Sequence, residues 1–265
     1  MNSVSTTTLI IATYNWPEAL YCCLSTVAKQ KVLPTEVIIA DDGSDYQTRE
    51  VIIAFQKSLP VSVVHVWQED QGFRKSQILN KAVEQSLSEY IIQIDGDVLL
   101  HPSFIEDHIS AAEKNAFVRG TRARLSPEKT QYILRTNDIN LKFYSKGVYN
   151  RFNALHLPAL AFAGQRKEMN SRSVRGSNLA YWKKDFEHVN GYNNELSGWG
   201  HEDEELATRF INGNIIKKIV KLRAIQYHLD HLELPRSNEP EHRQIIQQMK
   251  EAKIIKCANG YENVH

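Results

Sequence analysis

Tyr90-Ile91-Ile92-Gln93-Ile94-Asp95-Gly96-Asp97-Val98 is the stretch that decides the fold. Tyr90 to Ile94 is short, mostly apolar and rich in β-branched residues, the pattern of a buried strand. It stops at two carboxylates separated by a glycine. Two such groups at a strand end can reach a hard cation, and the glycine lets backbone approach a ligand. Taken alone, D-x-D is most often an ordinary loop. Its place directly after a buried strand gives it weight.

The same grammar repeats upstream. Thr8 to Ala12 reads as a strand followed by Thr13-Tyr14-Asn15. Glu36 to Ala40 reads as a second strand, followed by Asp41-Asp42-Gly43-Ser44-Asp45. Val61 to Trp67 is a third. Helical spacing fills the gaps: Pro17 suits a first turn before Glu18 to Gln30, a second helix runs to about Lys57, and a third covers Phe73 to Leu87. Repeated β-α units predict an α/β fold, Rossmann-like, with a doubly wound and mostly parallel central sheet flanked by helices. Ligands in such folds bind at the carboxyl ends of the strands, where the polar punctuation falls.

Composition narrows the class. The chain has 265 residues, 42% hydrophobic and 24% charged, with a formal net charge of +1. That excludes disordered and fibrous chains and leaves no global field for nucleic acid. Leu9 to Ala12 is far too short an apolar run for a membrane helix, and the basic flank and cleavage site of a signal peptide are missing. Cys22, Cys23 and Cys257 suggest neither a disulfide framework nor a metal spacing, so a reducing cytoplasm is expected.

The second half reads as less regular. One domain over 1–240 is expected, with a nucleotide-binding half, 1–115, and an acceptor-binding half, 116–240; a helical tail over 241–265 packs on it. Residues 116–184 carry fourteen lysines and arginines against Glu128, Asp138 and Glu168, a net +11. Aromatic residues such as Phe143, Tyr144, Phe152 and Phe162 are mixed in. The bland reading is a solvated connecting segment; the sharper one is a patch meeting an anionic, partly apolar partner at a membrane face.

Three further segments carry chemistry. Asp41-Asp42-Gly43-Ser44 is either a plain turn with helix capping or a place where a carboxylate accepts a base-ring N–H. Trp199-Gly200-His201-Glu202-Asp203-Glu204-Glu205 opens a helix. Its acids suit a helix dipole, but an indole beside a glycine also suits a sugar face, and a neighbouring carboxylate suits proton abstraction. His228-Leu229-Asp230-His231 offers imidazoles to a divalent metal; a structural histidine is the alternative.

Taken in order, A-T-Y-N-W-P-E-A-L, I-I-A-D-D-G-S, G-F-R-K-S-Q-I-L-N-K-A, Q-I-D-G-D-V, G-S-N-L-A-Y-W, G-W-G-H-E-D-E-E-L and H-L-D-H resemble the family 2 inverting glycosyltransferases of GT-A fold. The pattern is similar to bacterial surface-polysaccharide members, to the chondroitin polymerase catalytic domain and to β-1,4-galactosyltransferases. It spans about Thr7 to His231. The resemblance implies a UDP-sugar donor and Mn²⁺ or Mg²⁺. It implies that Thr13, Tyr14 and Asp42 hold the uridine, that Arg74 or Lys75 faces the nucleotide or its phosphates, and that Asp95 touches ribose or metal. Asp97 and His231, with His228 as rival, would bind the metal. Asp203 would be the catalytic base, and Trp199, Gly200 and Glu202 would line the acceptor or donor sugar. His201 departs from a position often glycine in the galactosyltransferases.

The function so implied is transfer of a hexose or N-acetylhexosamine, galactose or glucose first, to a hydroxyl of a saccharide acceptor. The acceptor would be polyprenyl-diphosphate-linked, the bond β, and the product a surface polysaccharide such as O-antigen or capsule. The loop with Pro235, Arg236, Asn238 and Pro240 is a candidate lid over the donor. A nucleotidyltransferase would share the sheet and the paired aspartates, but would carry a Gly-rich basic loop where Ala12 to Trp16 stands. A non-catalytic sugar-binding protein would have no need of Asp97, Asp203 and His231 together.

Overall fold

In a computed structural model of the chain, the structure describes residues 4–196, 198, 200–232 and 239–264. The first half runs β1 (Thr7–Thr13), α1 (Pro17–Val27), β2 (Glu36–Asp41), α2 (Tyr46–Ser58), β3 (Ser62–Trp67), α3 (Lys75–Gln85), β4 (Tyr90–Asp95), β5 (Val98–Leu100) and α4 (Phe104–Ala111). Then come β6 (Ala116–Arg119), β7 (Thr121–Leu125), α5 (Pro127–Thr136), β8 (Val148–Tyr149), α6 (Ala161–Gly164) and β9 (Arg166–Glu168). The last part holds β10 (Asn178–Trp182), α7 (Lys183–His188), α8 (Glu202–Asn212), β11 (Ile216–Ile219), β12 (Ile225–His228) and α9 (Glu239–Glu251).

The local reasons are visible. Pro17 opens α1 without losing a needed donor. Asp45 caps α2 by accepting the Gln47 N–H at 3.1 Å. Ser126 caps α5, Pro127 follows it, and Asn137 ends that helix in the left-handed region. The helix expected to reach Gln30 ends at Val27. The Gln30 amide is used elsewhere, donating to Thr26 O and His101 O.

Eight strands form the central sheet in the order β3-β2-β1-β4-β10-β6-β11-β9. The β3-β2-β1-β4 half is parallel. β10 then runs antiparallel to both β4 and β6, so strand direction reverses beside β4. A second sheet, β5-β12-β7-β8, stands against the end of the first. The segment read as irregular thus supplies β6 and β10 to the middle of the main sheet.

Strand parity sorts the core into two layers. Leu9, Ile11, Val37, Ile39, Ile92 and Ile94 face α1, α2 and α4. Ile10, Ile38 and Ile91 face α3, α7 and α8, packing on Ile78, Phe186 and Phe210. By the same alternation, Gln93 and Asp95 of β4 lie on the α3/α8 side. A third cluster, including Cys22, Leu99, Ile133 and Tyr227, joins α1 and α5 to the second sheet. Cys22 and Cys23 are buried and unpaired. Among the described residues, no helix is long and apolar enough to cross a membrane.

Arg209 of α8 is 0% exposed and pairs with Glu205, 1% exposed, one turn earlier. Its guanidinium also donates to Val189 O and Gly191 O. Each guanidinium nitrogen therefore has an acceptor, the condition under which a buried ion pair is tolerated. Removing one partner strands the other, so Arg209→Met is expected to cost about 3–5 kcal/mol in urea unfolding. A change below about 1 kcal/mol would show that water reaches the pair.

Candidate active site

The site lies at the carboxyl ends of β1, β2 and β4. A cavity of about 410 Å³ opens there, walled by Ala12, Ala40, Ile78, Trp16 and Phe73. Thr13, Tyr14, Asp42, Lys75, Asp95 and Asp97 supply its polar rim. A flat apolar slot with polar groups at its edge suits an aromatic base. Gly43, at φ +98°, closes the β2 turn: a Cβ there would sit 2.6 Å from Asp70 backbone. The Tyr14 hydroxyl donates to Asp70 Oδ2 at 2.9 Å.

Each Asp42 oxygen already accepts one bond, Oδ1 from Gln68 Nε2 at 2.5 Å and Oδ2 from the Arg74 N–H at 2.8 Å. Burial pushes its carboxyl up despite these bonds. Arg74 and Lys75 divide cleanly. The Arg74 guanidinium turns back to donate to Glu69 O, whereas Lys75 lines the cleft and pairs with Asp95 Oδ1 at 2.5 Å. Burial works against the Lys75 charge, but Asp95, Asp203 and Glu202 outweigh it and hold the ammonium protonated.

A second cavity, about 300 Å³, shares Lys75, Asp95 and Asp97 with the first. Gly200, Glu202, Asp203, His228 and His231 also line it. Asp97, His228 and His231 converge: each histidine Nε2 faces Asp97 Oδ2, at 3.4 and 3.1 Å. The convergence follows from strand pairing. β5 and β12 are antiparallel with Val98 opposite His228, and the Leu229 N–H donates to Asp97 O at 3.0 Å.

These three side chains fit a divalent cation. Their donor atoms all lie within 4.8 Å of one another. Asp97 Oδ1 is buried with no hydrogen-bond partner, a cost that a cation would remove. His231 Nδ1 faces Leu232 O at 2.9 Å, which leaves Nε2 as the ligand atom. Without an ion, Asp97 makes the same contact with an imidazolium. The hydrogen bond to Asp97 is the main cause holding His231 at about 9.

Asp203 stands in the first turn of α8. Its Oδ1 accepts the Tyr192 hydroxyl at 2.9 Å. That hydroxyl accepts from Gln93 Nε2 at 2.8 Å, and Gln93 Oε1 accepts from Tyr181 Oη at 3.2 Å. The chain Tyr181–Gln93–Tyr192–Asp203 thus fixes the carboxylate through Oδ1. Gly176 presses on the same group: a Cβ there would lie 2.3 Å from Asp203 Oδ1.

A second His-Asp-His group, His101, Asp107 and His156, lies outside this cleft. Its atoms are largely spent. Asp107 Oδ2 accepts the Ala224 N–H and contacts His156, and the two histidine rings stack at 4.1 Å. It ties the loop around residue 156 to α4.

Comparison with known proteins identifies the frame. The model described as glycosyl transferase family 2 matches residues 8–173, more than half of the chain. The chain belongs to the family 2 glycosyl transferases. A model described as the N-terminal domain of galactosyltransferase matches residues 158–232 of this glycosyltransferase. Validoxylamine A glucosyltransferase of Streptomyces hygroscopicus subsp. limoneus is 27% identical over 215 residues, 76% of this chain and 47% of that protein. Chondroitin synthase of Escherichia coli is 24% identical over 236 residues, 83% of this chain and 34% of that protein. The chain therefore spans about half or less of these relatives. In fold, S. aureus TarS 1–349 superposes with a TM-score of 0.62 at 14% identity, over 98% of this chain and 68% of that one. The mannosyltransferase PcManGT of Pyrobaculum calidifontis, solved with GDP-Man and Mn2+, gives 0.57 at 15% identity, over 93% and 62%.

Of the residues singled out in the sequence, Thr13, Tyr14, Asp42, Lys75, Asp95, Asp97, Gly200, Glu202, Asp203, His228 and His231 line the two connected cavities of the glycosyltransferase. Arg74 lies behind them. Trp199, Pro235, Arg236 and Asn238 lie outside the described residues, and Pro240 is in α9. Gln93, Tyr192 and Gly176 were missed.

Two predictions come from the cleft. Gly176→Ala should displace Asp203 and cut turnover about 100-fold, the cost of a misplaced group near 1 Å. Tyr192→Phe should cut it about tenfold or more by removing a hydrogen bond to a charged group. Nucleotide affinity, measured by calorimetry, should hold in both; unchanged turnover in either would remove that residue's positioning role.

The other concerns pH. Burial, with the Asp203 charge adding and the Lys75 ammonium opposing, pushes the buried Glu202 carboxyl up to about 7 from an ordinary 4.5. Ionising it costs stability that appears as pH rises past 4.5 and is complete above 7. In metal-free protein, Glu202→Gln should therefore melt above wild type at pH 8, and the gap should close by pH ~4.5. A gap independent of pH would contradict the raised value.

Proposed function

We propose that this glycosyltransferase moves a hexose or N-acetylhexosamine, galactose or glucose first, from a UDP-sugar to a hydroxyl of a saccharide acceptor, with inversion. The junction of the two cavities carries this reading: the apolar slot and the space holding Asp203 meet at Lys75, Asp95 and Asp97. A nucleotide base in the slot leaves its diphosphate at that junction and its sugar beside α8.

Thr13, Tyr14 and Asp42 bound the base end of the slot. Asp97, His231 and His228 would hold Mn²⁺ or Mg²⁺, which when bound supplies positive charge to the leaving diphosphate. The Lys75 ammonium adds fixed charge at the same junction and keeps Asp95 oriented.

The reaction needs one proton moved. The acceptor hydroxyl oxygen attacks the anomeric carbon from the face opposite the diphosphate, the C1–O bond to phosphate breaks, and Asp203 takes the hydroxyl proton. The electrons of the broken bond leave with UDP. Charge builds on C1 as an oxocarbenium-like state, and one in-line displacement turns an α-linked donor into a β-linked product. Tyr192 holds Oδ1, which leaves Asp203 Oδ2 for the acceptor. Glu202, buried and held by the Gly200 N–H at 3.1 Å, can keep its proton near neutrality and donate to a sugar hydroxyl.

The acceptor proposed is a polyprenyl-diphosphate-linked saccharide, in surface-polysaccharide synthesis at the inner membrane face. Exposed Phe152 and Phe162, 90% and 75% accessible, stand in the basic stretch and suit weak peripheral contact with a membrane.

The test is UDP release from a panel of UDP-sugars with Mn²⁺. Asp203→Asn should keep donor affinity and lose transfer by about 100-fold or more. Asp97→Ala should lose metal dependence and nucleotide affinity together. Near wild-type turnover of the first variant would refute the base assignment, and an unchanged metal titration of the second would refute the metal assignment.

A further inference from the structure

The reading above leaves a set of cations unused. Arg119, Arg122, Arg175 and Lys221, with Arg124, line a separate cavity of about 280 Å³. Its other walls are Gly120, Thr121, Ser177 and three asparagines, and no carboxylate is among them. Arg122, Arg124, Arg175 and Ser177 also line the cavity that holds Asp203, so the two spaces are continuous.

The elements explain the gathering. Arg119 ends β6, and Arg122 and Arg124 sit two apart on β7, hence on one face. Arg175 precedes β10 and Lys221 follows β11. Four other sheltered cations are ion-paired: Lys75 with Asp95, Arg209 with Glu205, Lys217 with Glu168 and Lys218 with Glu113. Arg119 and Arg122 are half-buried, Arg175 and Lys221 are exposed, and among the described residues none of the four has an ion-pair partner. Burial and the nearby Arg175 charge outweigh the Glu168 carboxylate and work against the Arg119 cation. Like charges gathered around a cavity with no carboxylate in its lining suit an anionic ligand.

We infer that this cavity binds a phosphoryl group, a diphosphate by its charge, carried by the acceptor. Several guanidinium forks match phosphate oxygens in bidentate fashion, and the four cations Arg119, Arg122, Arg175 and Lys221 exceed the single charge of a carboxylate. Of its cations, Arg119 and Lys221 line neither donor-side cavity, so an anion held between them is not the donor's. A saccharide anchored there by its phosphoryl end presents its hydroxyl to Asp203. This inference rests on the glycosyltransferase reading above for the word acceptor, but the anion site itself can be tested without transfer.

The probe is inorganic pyrophosphate, titrated by calorimetry at low salt in EDTA. The variant assigns the heat: binding lost with Arg119 and Lys221 reports the arginine cavity, because neither residue lines the donor side. Wild type should bind, and Arg119→Gln/Lys221→Gln should bind about tenfold or more weakly. Neither residue lines the donor cavities, so UDP titrated with Mn²⁺ on the same variant checks that the fold survives. In transfer assays, the variant should raise KM for a diphosphate-linked acceptor sugar and leave its octyl glycoside unaffected. Absence of pyrophosphate binding by wild type, equal binding by wild type and variant, or glucuronate binding as tightly as pyrophosphate would each overturn the inference. Failure of wild type to bind UDP with Mn²⁺ would instead sink the donor reading and leave the pyrophosphate result standing.

Discussion

The antiparallel pairing of β5 with β12 is the constraint on which the site depends. β5 is three residues long and follows Asp97 directly. Its register sets Val98 against His228, and the Leu229 N–H closes on Asp97 O. A slip of one residue would turn His228 to the other face and separate it from Asp97. Pairing of backbone groups therefore brings Asp97, His228 and His231 together from segments far apart in the chain. The reversal of strand direction at β10 matters as much. It ends the parallel half beside β4 and opens the crevice that Asp95 and Asp97 border.

Charge is the second organising quantity. Asp95, Asp97, Glu202 and Asp203 share a cleft from which much water is excluded, and Lys75 stands among them. Burial, reinforced by the Asp203 charge, holds Glu202 near neutrality, while two histidines hold Asp97 low against its own burial. The cleft is thus sorted into groups that keep a proton and groups that do not, which is what acid–base work needs.

Legibility in the sequence followed the range of the interaction. β1, β2 and β4 are predominantly apolar runs, buried on both faces, and such runs mark themselves. The polar ends of those strands marked the site. β6 and β10 are equally buried, but they lie in a basic stretch whose surface charge masks them. Arg74 and Lys75 are adjacent, and only the start of α3 decides that Lys75 faces the cleft. Gln93 is a polar residue in a buried strand and could have been noticed as needing a partner. Tyr192 and Gly176 have no local signature. Their importance comes from atoms contributed by α8, which no spacing along the chain reveals.

His201 shows how a departure from pattern can be accommodated. It takes φ +70° at the N-terminus of α8, a conformation that glycine adopts freely and a histidine adopts at a cost of order ~1 kcal/mol. The imidazole returns contacts that glycine has none of: Nδ1 lies 3.4 Å from Glu204 and Nε2 3.5 Å from Glu239 of α9. His242 of α9 reaches back to Gly200 O at 2.6 Å. The C-terminal helix is thereby fastened to the turn that carries Glu202 and Asp203. Backbone strain at His201 is offset by ties to α9, and the turn that carries Glu202 and Asp203 takes its shape from the C-terminal helix.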